Sequence, residues 1–141
     1  MFHSLQIALC SAMTIDGRLS ADDRRKMRLG SDRDIKFLRS LRNHFHASYM
    51  GGETFRNWPL PPFRNNTEPY YQFVLTQKGI KEILNAEEFS MKRWKNNQLI
   101  VIYSEKDIFD QERPLCTKIG LNALLVEKQT PVQILQYLTD I

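Results

Sequence analysis

The residues best placed to do chemistry begin with Tyr49-Met50-Gly51-Gly52-Glu53-Thr54-Phe55, which reads as a strand entering a glycine turn and then a short helix. Two consecutive glycines permit positive φ and close approach of another molecule to the backbone, and a first helical turn presents N–H groups without intrahelical partners. Together they favour an anion such as a phosphate. Thr54 is expected to cap the short helix and to add a hydroxyl donor, with Glu53 where the helix dipole tolerates negative charge. Gly-Gly between a strand and a helix also serves as a plain turn, so the heptad alone leaves both readings open.

Three further positions bear on a ligand. Asp16, in Asp16-Gly17 at the end of an apolar run, is either a turn residue or a carboxylate facing the crevice in which open α/β sheets bind ligands. Arg18, Arg24, Arg25, Lys26 and Arg28, interspersed with Asp22 and Asp23, form either a solvated loop or a basic rim for a nucleotide or phosphorylated substrate. Nucleic acid is not the expected partner, because no aromatic residues interleave with these charges. Thr76 closes a strand pattern, where its hydroxyl either meets a cofactor or ends the strand.

Positioning these residues requires a sheet. Leu5 to Met13 is an apolar run without helical spacing, as in a strand buried on both faces. Phe45 to Met50, Tyr70 to Thr76, Leu99 to Tyr103 and Leu121 to Val126 add four more expected strands. Ser31 and Asp34 have the spacing of a capping box, so Ser31 is first an N-cap and second a ligand contact. The helix that follows carries Ile35, Leu38 and Leu41 on one stripe, with Phe37 alongside, and stops at Asn43. Trp58-Pro59-Leu60-Pro61-Pro62 reads as an extended connection with Trp58 packing on the protein. Ile80 to Trp94 fits either a helix or a sheet-edge cover. Thr130-Pro131 opens a last helix with Ile134, Leu135 and Leu138 on one face. Strands separated by helices or long connections imply a mostly parallel α/β sheet with helices on both faces.

The 141 residues suit a single domain, and no apolar run approaches the length of a membrane span. The net charge of +4 and pI of about 9.2 favour anionic partners. Without a secretory leader pattern at Met1-Phe2-His3-Ser4, the cytoplasm is the expected compartment. Cys10, in the apolar run, and Cys116, in a polar connection, are expected to be reduced thiols. His3, His44 and His46 lack partners at metal-ligand spacing, so no metal is expected. The chain also lacks GxSxG, a Walker loop and GxGxxG, which removes the usual anchors of hydrolases and kinases.

Ala12-Met13-Thr14-Ile15-Asp16-Gly17-Arg18-Leu19, then Gly30-Ser31 opening a helix with Leu41-Arg42, then Met50-Gly51-Gly52-Glu53-Thr54, resemble in order and spacing the reductase domain of the bifunctional riboflavin-biosynthesis deaminase/reductase. That family is related to dihydrofolate reductase. The resemblance is clear over 5–59 and weaker, though in register, as far as Ile141. It implies a dihydrofolate reductase-like fold and hydride transfer from NADPH to a pyrimidine (riboflavin precursor) or pterin-like substrate. Gly51, Gly52 and Thr54 would then hold cofactor phosphates, with Thr76 at the nucleotide end. Asp16 would orient the substrate or relay a proton, and Arg18 and Ser31 would lie on the substrate side. Family members continue, after the helix corresponding to 132–139, into a strand with a second glycine-rich turn and further strands; the 141 residues stop short of it. Cys10 also stands where such reductases often place lysine. The alternative expectation is therefore a truncated or degenerate reductase-like domain that binds or oligomerises without catalysis, a second copy covering the open strand edges as a homodimer.

Overall fold

A computed structural model describes residues 8–9, 31–62, 64, 68–86, 89–94 and 97–126. In chain order these form α1 (Asp32–Arg42), β1 (Ala47–Gly51), α2 (Gly52–Asn57), β2 (Tyr70–Thr76), α3 (Lys81–Leu84), a 3-10 turn at Met91–Trp94, β3 (Asn97–Tyr103), α4 (Lys106–Ile119) and β4 (Asn122–Leu125). The four strands make one sheet in the order β1-β2-β3-β4, and every neighbouring pair is parallel. The protein is thus α/β, as expected.

Parallel strands bury both faces, and the residues of β2 and β3 divide accordingly. Val74, Leu99, Val101 and Tyr103 face one core with Phe55 of α2, Ile83 and Leu84 of α3, Trp94 and Cys116 of α4. Phe73, Ile100, Ile102 and Val126 form a second cluster on the opposite face. Each such apolar side chain removed from water contributes roughly 1.5–3 kcal/mol before conformational entropy is counted. A chain that steps always to the next strand through crossovers of one hand lays its connecting elements on one face. α2, α3 and α4 accordingly share one face, since all three contribute to the first cluster.

Local signals account for α1 in full. Ser31 Oγ accepts from the Asp34 N–H at 3.3 Å, the Ser31 N–H donates to Asp34 Oδ2 at 2.6 Å, and Asn43 caps the other end. The helix nevertheless buries no residue, and Phe37 of its expected apolar stripe is 62% exposed.

α4 arises differently. Its N-cap position, Glu105, makes no side-chain cap, and Pro114 lies inside it, where proline removes a helix hydrogen bond at a cost of about 3 kcal/mol. It is held by its inward stripe Ile108, Phe109, Leu115, Cys116 and Ile119, all in or against the first core cluster. Its end is firm: Gly120 is left-handed at φ 75°, the Leu121 N–H donates to Cys116 O at 2.9 Å and the Gly120 N–H to Thr117 O at 3.2 Å. That is a Schellman closure, with Cys116 and Leu121 both buried beside it.

Several expectations change. Ala8 and Leu9, the described part of the first expected strand, lie outside any strand, with Leu9 96% exposed. The rest of that run, Leu5 to Ile7 and Cys10 to Met13, lies outside the described residues. Cys116 is a helical core residue rather than part of a polar connection. Trp58 ends α2 and is 51% exposed instead of packed. The segment 80–94 resolves into α3 and the 3-10 turn, with Trp94 buried against Phe55 at a ring-centroid distance of 6.2 Å. The expected helix after Pro131 lies outside the described residues. No helix among the described residues is long and apolar enough to cross a membrane.

Candidate functional site

The carboxyl ends of β1, β2 and β3 bring the sequence-derived candidates and several unforeseen residues to one edge of the sheet. β1 hands Gly51 directly to α2, and parallel pairing sets Gly51 opposite Leu75, so Thr76 projects one residue beyond it. Beneath them, Gln72 is buried and ties the strands together: Ser48 Oγ donates to Gln72 Oε1 at 2.5 Å, and Gln72 Nε2 donates to Phe73 O at 3.1 Å.

Gly52 and Thr76 are brought into contact. A Cβ on Gly52 would lie 2.8 Å from Thr76 Oγ1 and 2.9 Å from Thr76 Cβ, closer than real Cβ atoms approach. Gly52 is therefore required for space. Positive φ, the reason expected from sequence, is not involved: among the described glycines only Gly79 and Gly120 have it. Gly51 has φ −74° with nothing within 4 Å of an added Cβ, so it borders open space.

Thr54 is exposed within the first turns of α2 and does not cap it; the N-cap position is Gly51, which has no side chain to offer. This corrects the capping role, because an N-cap side chain must precede the helix whose amides it satisfies. Glu53 pairs with Arg56 at 2.8 Å. Thr76 is 2% exposed, and its hydroxyl donates to Gly79 O at 3.1 Å. Ser31 is engaged in the α1 capping box, its hydroxyl also donating to Asp34 Oδ2 at 2.8 Å. Hydrogen bonds from the Ser31 backbone and then its hydroxyl hold the Asp34 carboxyl below the usual range. Asp16 and Arg18 lie outside the described residues.

Three residues were missed by sequence reasoning. Arg56 donates to Gly79 O at 2.8 Å, so α2 and the turn after β2 share one carbonyl with Thr76. Glu112, 5% exposed, accepts from the Ile80 N–H at 2.9 Å, the Lys81 N–H at 3.1 Å and the Tyr103 hydroxyl at 2.8 Å. Gly79, at φ 76°, fits against that carboxylate, and a Cβ there would collide with it. Burial pushes the Tyr103 hydroxyl well above the ordinary phenol range, with hydrogen bonds to Cys116 and Glu112 adding to the effect. Burial likewise pushes the Cys116 thiol up, so it stays protonated and unreactive at neutral pH. One signal for Glu112 is present in the sequence. It is a lone carboxylate on the helical stripe running from Ile108 through Phe109, Leu115 and Cys116 to Ile119.

Chemically, this edge offers an open backbone position at Gly51, an exposed hydroxyl at Thr54 and a cross-braced turn behind them. The order β1-β2-β3-β4 never reverses, so no switch-point crevice forms between any two described strands. No group of three or more His, Cys, Asp or Glu residues among the described residues is placed to hold a metal ion. Comparisons of the chain with protein families, with curated proteins and with solved structures found no match.

Proposed function

We propose that the chain is a dihydrofolate reductase-like, NADPH-dependent reductase domain acting on a pyrimidine (riboflavin precursor) or pterin-like substrate. The observation that supports this is the delivery of Gly51-Gly52 by a parallel strand to the start of α2, in contact with Thr76 at the carboxyl end of the adjacent strand. The residues present suit a phosphate at one point: the space beside Gly51 is open and Thr54 is exposed. One strand along, Ser104 Oγ is buried with no hydrogen-bond partner, a spare polar group at the same edge. In this reading the Gly51 backbone and the Thr54 hydroxyl face the cofactor, while Gly52 and Thr76 are the packed support behind them. When bound, NADPH supplies a hydride to an electrophilic ring carbon. Asp16 would orient the substrate or relay the accompanying proton, and Arg18 would meet a substrate phosphate.

Calorimetric titration of the 141-residue chain with NADPH tests the proposal, with Gly51→Asp as control. That position has ordinary φ and open space, so the variant folds while placing a carboxylate against the phosphate. Saturable binding that the variant loses is the expected result. Absence of binding at millimolar NADPH overturns the reductase reading.

A second reading is a binding or oligomerisation module without catalysis. In it the bonds from the turn after β2 to Thr76, Arg56 and Glu112 serve only to brace the fold. It predicts concentration-dependent self-association in sedimentation with no NADPH binding.

A further inference from the structure

Glu112 occupies an unusual place for a carboxylate. It lies on the inward stripe of a helix, buried among Ile80, Tyr103 and Cys116, and its three hydrogen bonds reach two other parts of the fold. Oε2 takes the Ile80 N–H and the Tyr103 hydroxyl, and Oε1 takes the Lys81 N–H. One side chain therefore joins α4, the end of β3 and the turn that follows β2. Two successive backbone N–H groups pointing at one carboxylate form the kind of concavity that elsewhere holds an external anion. Here the anion is built into the chain.

The constraint continues towards the glycine pair. With Ile80 and Lys81 held, Gly79 O is set to accept from both Thr76 Oγ1 and Arg56 Nη1. Thr76 then packs against Gly52, which starts α2, and Arg56 belongs to the last turn of the same helix. A path of short contacts thus runs from Glu112 to α2, which carries Thr54 and begins directly after Gly51.

We propose that Glu112 is a positioning residue for the cofactor seat. Its carboxylate fixes the Gly79–Lys81 turn and, through Thr76 and Arg56, the placement of Gly51 and Thr54. It also fills the amides of that turn, so that a ligand phosphate is directed to the β1–α2 junction. The inference rests on the reading of Gly51 to Thr54 as a cofactor seat. Charge and shape both matter. A glutamine at this position has the same length, but its NH2 group would meet one of the two backbone N–H donors, leaving two donors face to face.

The test uses the full chain as wild type, Glu112→Gln and Val101→Ala. Val101 is buried in β3 in the same core cluster and takes part in none of the hydrogen bonds just described, so its truncation is a control for general loss of stability. Melting temperature, NADPH affinity at a temperature where all three are folded, and backbone amide spectra are recorded together. The expected result is that Glu112→Gln weakens NADPH binding by about tenfold or more and moves the amide signals of 51–54, as removal of an outer supporting partner does at other sites. Val101→Ala should lower the melting temperature while leaving affinity and those signals unchanged. Acetate replaces the atoms removed by Glu112→Ala, so added acetate should restore the amide pattern and the affinity of that variant.

Equal NADPH affinity in Glu112→Gln and Val101→Ala, with the signals of 51–54 unmoved, would overturn the proposal. If wild type binds no NADPH, the reductase reading fails alone, and the amide signals with their response to acetate still decide whether Glu112 positions this junction. Should Glu112→Gln not fold, Tyr103→Phe removes one of the three hydrogen bonds to the carboxylate and carries the same comparison.

Discussion

Gly52 and Gly79 stand at the carboxyl ends of neighbouring parallel strands, and both are pressed against a side chain, yet they are glycine for different reasons. At Gly52 the backbone is ordinary and only space is short, because Thr76 occupies the position of a Cβ. At Gly79 the backbone is left-handed and the space belongs to a buried carboxylate. The first site is a packing constraint between the start of α2 and the end of β2; the second combines backbone conformation, packing and charge. A pair of glycines in sequence thus attracts notice for a conformational freedom that it does not use, while a single glycine uses all of it.

Substitution at Gly79 is expected to have the largest effect. Gly79→Ala must place a methyl group on the Glu112 carboxylate and hold an L-residue at positive φ, and is expected to cost about 3–5 kcal/mol in urea denaturation. A cost under 1 kcal/mol would mean that the turn moves freely away from Glu112. Gly52→Ala meets the Thr76 side chain and, at 3.3 Å, Arg56 Nη1, and should cost about 1–3 kcal/mol, the range of an overpacked contact. Its effect should be smaller than that of Gly79→Ala in the same assay.

Gly51→Ala sharpens the contrast from one residue away. With φ −74° and no atom within 4 Å, it should change stability by no more than about 0.5 kcal/mol. A large loss there would show that the open space beside Gly51 is closed in solution.

The smallest effect belongs to α1, far from either glycine in character. Asp34 has a lowered pKa in the folded chain, so its support of the helix start is present above the ordinary aspartate range and is lost as pH falls through the folded value. An NMR titration should find its midpoint below that of an unstructured aspartate. In Ser31→Ala the midpoint should rise part of the way, since the backbone N–H at position 31 still donates.

Legibility in the sequence followed the range of the interactions. The start and stop of α1 were readable because Ser31, Asp34 and Asn43 act within one turn of themselves. β2 was readable from its alternation and β-forming residues and β3 from a continuous apolar run, and Tyr70–Thr76 was bounded correctly at both ends. α4 was not, because Pro114 interrupts the pattern and Glu112 sits on the apolar stripe that would have revealed it. Its inward face becomes sensible only when Ile80, Lys81 and Tyr103 arrive from elsewhere in the chain. The same holds for Gly52, whose reason lies in Thr76. Of the candidate site residues, Gly52 and Thr76 meet, Gly51 in β1 and Thr54 in α2 flank them, and Ser31 serves its helix cap.

The unbroken order of the sheet has a consequence for how the chain acquires its shape. Each new strand pairs with the one just before it: Ala47 with Tyr71, Phe73 with Ile100, Ile100 with Asn122. Every pairing closes a loop of about two dozen residues, and because closure entropy grows only with the logarithm of loop length, the three steps carry nearly equal entropic penalties. No described strand waits for a distant partner. Assembly can therefore begin at the long β2–β3 pair and extend outward in either direction, with the Glu112 brace forming only after α4 has followed β3 into place.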